Sequence, residues 1–151
     1  MAITVTTVAD LPSLEGADLG ASSWLEVSQE RIDTFADATG DHQYIHVDPE
    51  RAKAGPFGGT IAHGFLTLSL FVPLWSELLT VSDASTLVNY GLDRVRFTAP
   101  VRAGSRIRLR ASLRTVAEVA GGYQLHVDGV IEIEGQERPA VVLESISRVY
   151  A

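Results

Sequence analysis

Between Thr39 and Asp48 the chain reads Thr-Gly-Asp-His-Gln-Tyr-Ile-His-Val-Asp, which packs Asp41, His42, His46 and Asp48 into eight positions. A second stretch, Gly58-Gly59-Thr60-Ile61-Ala62-His63-Gly64, follows and leads into an apolar segment. An aspartate and a histidine on one loop can hydrogen-bond a single water, and an imidazole near neutrality can take or give a proton. The amides in the first turn of a following helix have no intrahelical acceptor. A glycine there, Gly64, lets a carbonyl oxygen approach closely and receive such an amide. Water activation beside such a donor suits hydration or dehydration conjugate to a carbonyl, or hydrolysis of a thioester. Plainer readings stand beside this one. Asp48 can be a helix cap, because Pro49 follows it. His42 can be an exposed loop residue, and His63 a capping or supporting group as readily as a catalyst. His126, among acids on the polar side of a strand, reads as solvated. Asp41, His42, His46 and Asp48 are competent metal ligands, but their spacing matches no metal motif, so no metal is expected.

The elements that must position these residues change character near residue 82. Ser28 can cap a helix in which Ile32, Phe35, Ala36 and Thr39 recur at helical spacing, with Gly40 ending it. Asp48-Pro49-Glu50 starts a second, short helix that Gly55 stops. A third is expected from about Ala62 to Leu79, apolar nearly all round and therefore buried, with Pro73 removing the amide bond to Ser69 and kinking it. Strands follow: Thr86 to Thr98, Ser105 to Arg114, a run from Tyr123 to Ile133, and Ala140 to Tyr150. Arg106, Arg108 and Arg110 fall on one face and Ile107 and Leu109 on the other. Gly121-Gly122 and Gly135-Gln136 are turns. One apolar helix and one long antiparallel sheet with a single buried face predict an α+β architecture, the curved sheet wrapped round the helix.

Composition bounds the rest. The 151 residues fit one domain (1–151) with a sizeable core. The chain has no cysteine, which removes disulfides, thiolate zinc sites, iron–sulfur clusters and cysteine nucleophiles. A net charge of -7 argues against nucleic-acid partners. The run from Phe65 to Trp75 is too short to span a bilayer, and the N-terminus shows no secretion signal, so a cytoplasmic protein with no membrane partner is expected. Of the 12 basic residues, 11 are arginines, and seven of these lie between Arg94 and Arg114.

Ala38-Thr39-Gly40-Asp41-His42-Gln43-Tyr44-Ile45-His46-Val47-Asp48-Pro49, followed by Ile61-Ala62-His63-Gly64-Phe65-Leu66-Thr67-Leu68-Ser69, resembles the MaoC-like (R)-specific enoyl-CoA hydratases of the hot-dog fold. It is similar in particular to the single-domain actinobacterial members and the nodulation protein N-like branch, over roughly residues 20 to 150. The resemblance implies that Asp41 and His46 hold and activate the water that adds to C3 of a trans-2-enoyl thioester, giving a (3R)-3-hydroxyacyl thioester. It implies that the Gly64 amide binds the thioester oxygen, that Ser69 helps fix the site from the central helix, and that no metal or organic cofactor takes part. It also implies a homodimer with the acyl tunnel near the interface; Tyr44, Phe57, Phe65 and Trp75 are candidate walls. The substrate carrier is coenzyme A or an acyl carrier protein. Where the commoner motif has Asn-Pro, this chain has Gln43-Tyr44, so the stiffening proline is gone and a ring is added. Two alternatives share the fold: an acyl-CoA thioesterase, for which the central helix offers only Glu77, and a non-catalytic thioester-binding module. Arginine binds phosphates in bidentate fashion, so Arg106, Arg108 and Arg110 are candidate contacts for the carrier's phosphates, beside the plainer reading of a solvated sheet face.

Overall fold

The computed structural model describes residues 2–151. The chain runs through β1 (Thr4–Thr6), a 3-10 turn over Leu11–Leu14, β2 (Asp18–Ala21) and β3 (Leu25–Glu26). Then come α1 (Gln29–Thr39), α2 (Tyr44–Val47), α3 (Pro49–Lys53), α4 (Gly64–Ser69) and α5 (Phe71–Ser76). It closes with β4 (Leu79–Val81), β5 (Thr86–Phe97), β6 (Arg106–Val119), β7 (Gly122–Ile133) and β8 (Val141–Tyr150).

Local chemistry sets the helix ends near the polar loop. The Ser28 hydroxyl accepts the Arg31 amide at 3.1 Å, and Gly40 closes α1 at φ 83°, its amide donating to the Ala36 carbonyl. Only a residue tolerant of positive φ fits there, and the turn it makes throws the chain into Asp41. Asp48 is indeed a cap: its carboxylate accepts the Arg51 amide, with Pro49 at the first helical position of α3. Between them, Tyr44–Val47 forms a single helical turn where the sequence suggests only loop.

The expected helix over residues 62–79 is two shorter ones. Ala62 instead donates its amide to the Val101 carbonyl, and residues 79–81 leave the helix to pair as β4 with β1 in parallel. The break falls at Leu70, three residues before Pro73, because proline cannot donate to the Ser69 carbonyl and its ring crowds that turn. The expectation of full burial is corrected as well. Leu66, Leu70, Phe71, Leu74 and Trp75 are buried, while Phe65 and Val72 are exposed on the opposite side.

The long strands form an antiparallel sheet in the order β2-β6-β7-β8-β5, with β3 also beside β6. Ile107, Leu109, Leu113, Leu125, Ile131 and Leu143 face inward and join Leu66, Leu70, Leu74 and Trp75 in one hydrophobic cluster. Burying such aliphatic side chains contributes roughly 1.5–3 kcal/mol each. The short strands β1 to β4 carry too few residues to show an alternation, and the expectations do not contain them. No helix among the described residues is long and apolar enough to cross a membrane.

The outer face of the sheet is a ladder of ion pairs. Arg108 meets Glu132 at 2.6 Å, Arg110 meets the same carboxylate at 3.5 Å, and Arg106 meets Glu134. Burial alone would raise the Glu132 carboxyl, but Arg108 and Arg110 hold it below the usual carboxylate range. A lowered folded-state pKa stabilises the fold above the unfolded carboxylate value of about 4.3, and that contribution is lost as pH falls through the folded value. Glu132→Gln should therefore show a shallower loss of stability on acidification below about pH 4, read from urea midpoints. A slope identical to wild type would remove Glu132 from the acid limb.

Candidate active site

Three short elements converge on one small volume. The Gly40 turn delivers Asp41, α2 delivers His46, and the residue before α4 delivers His63. Their ligand atoms all lie within 4.8 Å of one another. Two hydrogen bonds of about 2.8 Å to one tetrahedral water span about 4.6 Å, so groups held within 4.8 Å of one another, as the Asp41 carboxylate and the His46 ring are, lie within reach of a shared water. Asp41 is exposed and His46 is buried, 6% accessible. A carboxylate open to substrate beside a walled imidazole is a workable acid–base pair.

The His46 tautomer follows from its partner. Its Nδ1 lies 2.7 Å from the Ile61 carbonyl oxygen, which can only accept, so Nδ1 carries the proton and Nε2 is the basic nitrogen. Its main chain is held too: Gln29 donates to the His46 carbonyl at 2.7 Å and accepts the Thr60 hydroxyl. Ile61 in turn donates its amide to the Ile45 carbonyl. The loop after α3 thus clamps α2 from both sides. Gln29 and Thr60 were not singled out in the sequence, because nothing local marks a helix-surface glutamine as a clamp.

His63 is 3% exposed and stacks on His46 with ring centroids 3.9 Å apart and planes inclined by 24°. A metal ion must lie in the plane of each imidazole that binds it. Planes this nearly parallel meet far beyond the 2.0–2.1 Å reach of a zinc–imidazole bond, so the three residues do not form a chelating set. His42 points elsewhere, pairing with Asp37 at 2.9 Å on the surface, and that hydrogen bond raises its pKa above the ordinary imidazole value. His126 lies on β7, away from the cluster, 3.5 Å from Asp93.

Gly64 opens α4, where its amide has no intrahelical acceptor. The Phe97 ring lies over it: a Cβ on Gly64 would meet that ring at 3.1 Å. Phe97 also meets Phe65 edge-on at 6.1 Å, and neither ring's contact was legible in the sequence. On one side of this aromatic pair lies a groove that includes Phe57, Gly64, Thr67 and Phe97. On the other lies an apolar groove of about 280 Å³ bounded by Phe65, Ser69, Asn89 and Tyr90. Of the expected walls, Phe57 and Phe65 line grooves. Tyr44 instead lies under the Arg51 guanidinium at 4.0 Å, and Trp75 is core, stacked on Phe71. Tyr44 occupies the first position of α2, where proline is favoured, so the commoner motif's proline would fit the same backbone. Ser69 donates to the Leu66 carbonyl at 2.8 Å and borders the second groove rather than the Asp41–His46 water position. Arg106, Arg108 and Arg110 share a face, as the alternation requires, but it is turned away from the central helix and already paired with Glu132 and Glu134.

A long antiparallel sheet packed on one apolar helical segment, with an Asp–His pair in the loop before that segment, defines a hot-dog protein of the hydratase type. Residues 10–134 match the family model described as MaoC like domain. The chain is 51% identical to 3-hydroxyacyl-thioester dehydratase Z of Mycobacterium tuberculosis, over 98% of this chain and 99% of that one. It is 47% identical to nodulation protein N of Rhizobium leguminosarum bv. viciae, over 93% of this chain and 89% of the other. Among solved structures, an (R)-hydratase from A. caviae superposes with a TM-score of 0.71 at 24% identity, over 89% of this chain and 96% of that one. At that identity the likeness concerns the fold, which is the hot-dog fold. The chain belongs to the MaoC-like dehydratase family.

Proposed function

We propose that the protein is an (R)-specific 2-enoyl-thioester hydratase, acting in reverse as a 3-hydroxyacyl-thioester dehydratase. The observation that carries this reading is the Asp41–His46 pair, gathered within 4.8 Å and so within reach of one water, with the His46 Nδ1–H held by the Ile61 carbonyl. In the hydration direction His46 Nε2 accepts a proton as the water oxygen bonds to C3 of the enoyl group. The C2–C3 double-bond electrons move toward the thioester oxygen, where the Gly64 amide donates to the developing charge. A proton from the Asp41–His46 pair then reaches C2, and the sum is one water added. The carrier is coenzyme A or an acyl carrier protein.

Purified protein should consume crotonyl-CoA and longer enoyl-CoA thioesters and give the 3R alcohol by chiral analysis. Release of free CoA from a saturated acyl-CoA would favour a thioesterase instead. That reading needs a free carboxylate on the central helix, whereas Glu77 accepts the Ser23 amide at 2.8 Å and the Ser23 hydroxyl at 2.7 Å. Tight binding without turnover would make the protein a thioester-binding module.

A homodimer belongs to the same proposal. β5 is an edge strand twelve residues long with exposed Leu87, Val88, Tyr90, Leu92 and Phe97, and exposed Phe65 and Val72 lie on the neighbouring helices. An uncovered apolar edge of this length invites pairing with a second copy. Tyr90→Lys with Leu92→Lys should shift the sedimentation coefficient from dimer to monomer; an unchanged value would place the interface elsewhere. Contact between the carrier phosphates and Arg106, Arg108 or Arg110 is a further part of this reading, with phosphate replacing Glu132 and Glu134 as the partner. Reversing the three charges should raise KM for the CoA thioester with kcat little changed. An unchanged KM would return them to the ion-pair ladder. A cytoplasmic location completes the proposal and is checked by cell fractionation.

A further inference from the structure

We propose that His63 is a positioning residue: stacked on His46 in the opposite tautomer, it ties the main chain of Asp41 to the start of α4 and so holds the acid–base pair in register. The kinetic part of this inference rests on the proposed hydratase reading; the tautomer part does not.

The hydrogen bonds define the arrangement. His63 Nε2 lies 2.9 Å from the Asp41 main-chain carbonyl oxygen. That oxygen has no proton to give, so His63 carries its proton on Nε2. Its Nδ1 is buried without a partner. His46 is the reverse, with the proton on Nδ1 facing Ile61 and Nε2 bare. Two stacked rings thus point their N–H groups at two different main-chain carbonyls, one beside each member of the pair.

This matters because Asp41 is otherwise weakly held. Its side chain is exposed, and among the described residues its carboxylate accepts only a 3.3 Å bond from the Gln43 amide two residues away. The His63 bond spans 22 residues and fixes the Asp41 main chain against α4. The ring that makes it is locked between His46 on one side and Phe35, 4.8 Å away by centroid, on the other. Gly64 is the next residue, so one imidazole fixes the main chain of Asp41, the plane of the base and the start of α4, whose first amide is the proposed donor to the thioester oxygen. A misplacement of about 1 Å in such a constellation can cost about 10²-fold in rate.

The test separates the donor from the bulk. Gln at position 63 can place an amide N–H near the Nε2 position; Asn places one near Nδ1, where there is no acceptor; Phe keeps the ring and has no donor. His63→Phe and His63→Asn should lose about 10- to 100-fold in kcat on crotonyl-CoA with KM within about twofold, and His63→Gln should recover most of the loss. A Gln protein as slow as the folded Phe protein would overturn the positioning role. Independently, ¹⁵N histidine spectra of the wild-type protein should show His46 protonated at Nδ1 and His63 at Nε2. The same tautomer in both would overturn the arrangement even where no variant folds. Opposed tautomers in a wild-type protein without hydratase activity would support the arrangement and overturn the proposed function.

Discussion

An Asp41→Asn protein should keep its fold and lose roughly 10³-fold in kcat for crotonyl-CoA hydration, within the range for removing one general acid–base group. Asp41 is exposed, so its replacement should move stability by no more than about 0.5 kcal/mol. Asn keeps the size and one acceptor oxygen, but it cannot hold or give a proton. His46→Asn is the matched test on the other partner. Removing the imidazole outright would leave the buried Ile61 carbonyl without a donor, at a cost of about 1–3 kcal/mol. Asn can place an amide N–H near the old Nδ1 position, keep that bond, and delete only the base. The double variant should be little slower than either single one, because both residues act on one water and their effects do not add. Loss of the enoyl absorbance gives the rates directly. Either single variant retaining more than about a tenth of wild-type kcat would sink the pair as the acid–base machinery, since even the weak end of such catalysis exceeds that factor.

What could be read in the sequence was what local spacing encodes. α1 was legible from Ser28 to Gly40 because its cap, buried face and terminator all lie within its own residues. The faces of β6 and β7 were legible because alternation needs no knowledge of the partner strand, and β8 was legible as a strand. The short strands were not, since β2 and β3 exist only by pairing with a distant β6. β5 was visible as a strand, but its position at the sheet edge depends on β8 alone pairing with it, which no periodicity within Thr86–Phe97 records. The site divides the same way. Asp41 and His46 lie five residues apart in one segment of the chain and were legible together. The hold of His63 on Asp41, and the Phe97 ring over Gly64, are contacts across the fold that appear only once helix and sheet are in place.

That ring makes Gly64 the second position where a small change should have a large consequence. A Cβ there would lie 3.1 Å from two atoms of Phe97 and 3.2 Å from a third, closer than ordinary packing allows. Gly64 has no positive φ, so alanine is not strained by its own backbone. The cost must come from the ring or from the thioester oxygen that approaches the amide. Gly64→Ala should therefore lower kcat by about 10²-fold, the scale of a misplacement of about 1 Å between the amide and the substrate oxygen. The two causes can be separated. Phe97 is 50% exposed and holds Gly64 through a side chain rather than through backbone, so Phe97→Ala makes room for the new methyl without touching the amide. If crowding by the ring displaces α4, Gly64→Ala with Phe97→Ala should run faster than Gly64→Ala alone, giving a coupling energy between the two positions. If the double variant stays as slow, the methyl obstructs the substrate oxygen itself, and Phe97 only covers the groove. A Gly64→Ala protein with wild-type kcat would show that a methyl at this position neither displaces α4 through Phe97 nor obstructs the approach of the thioester oxygen to the amide.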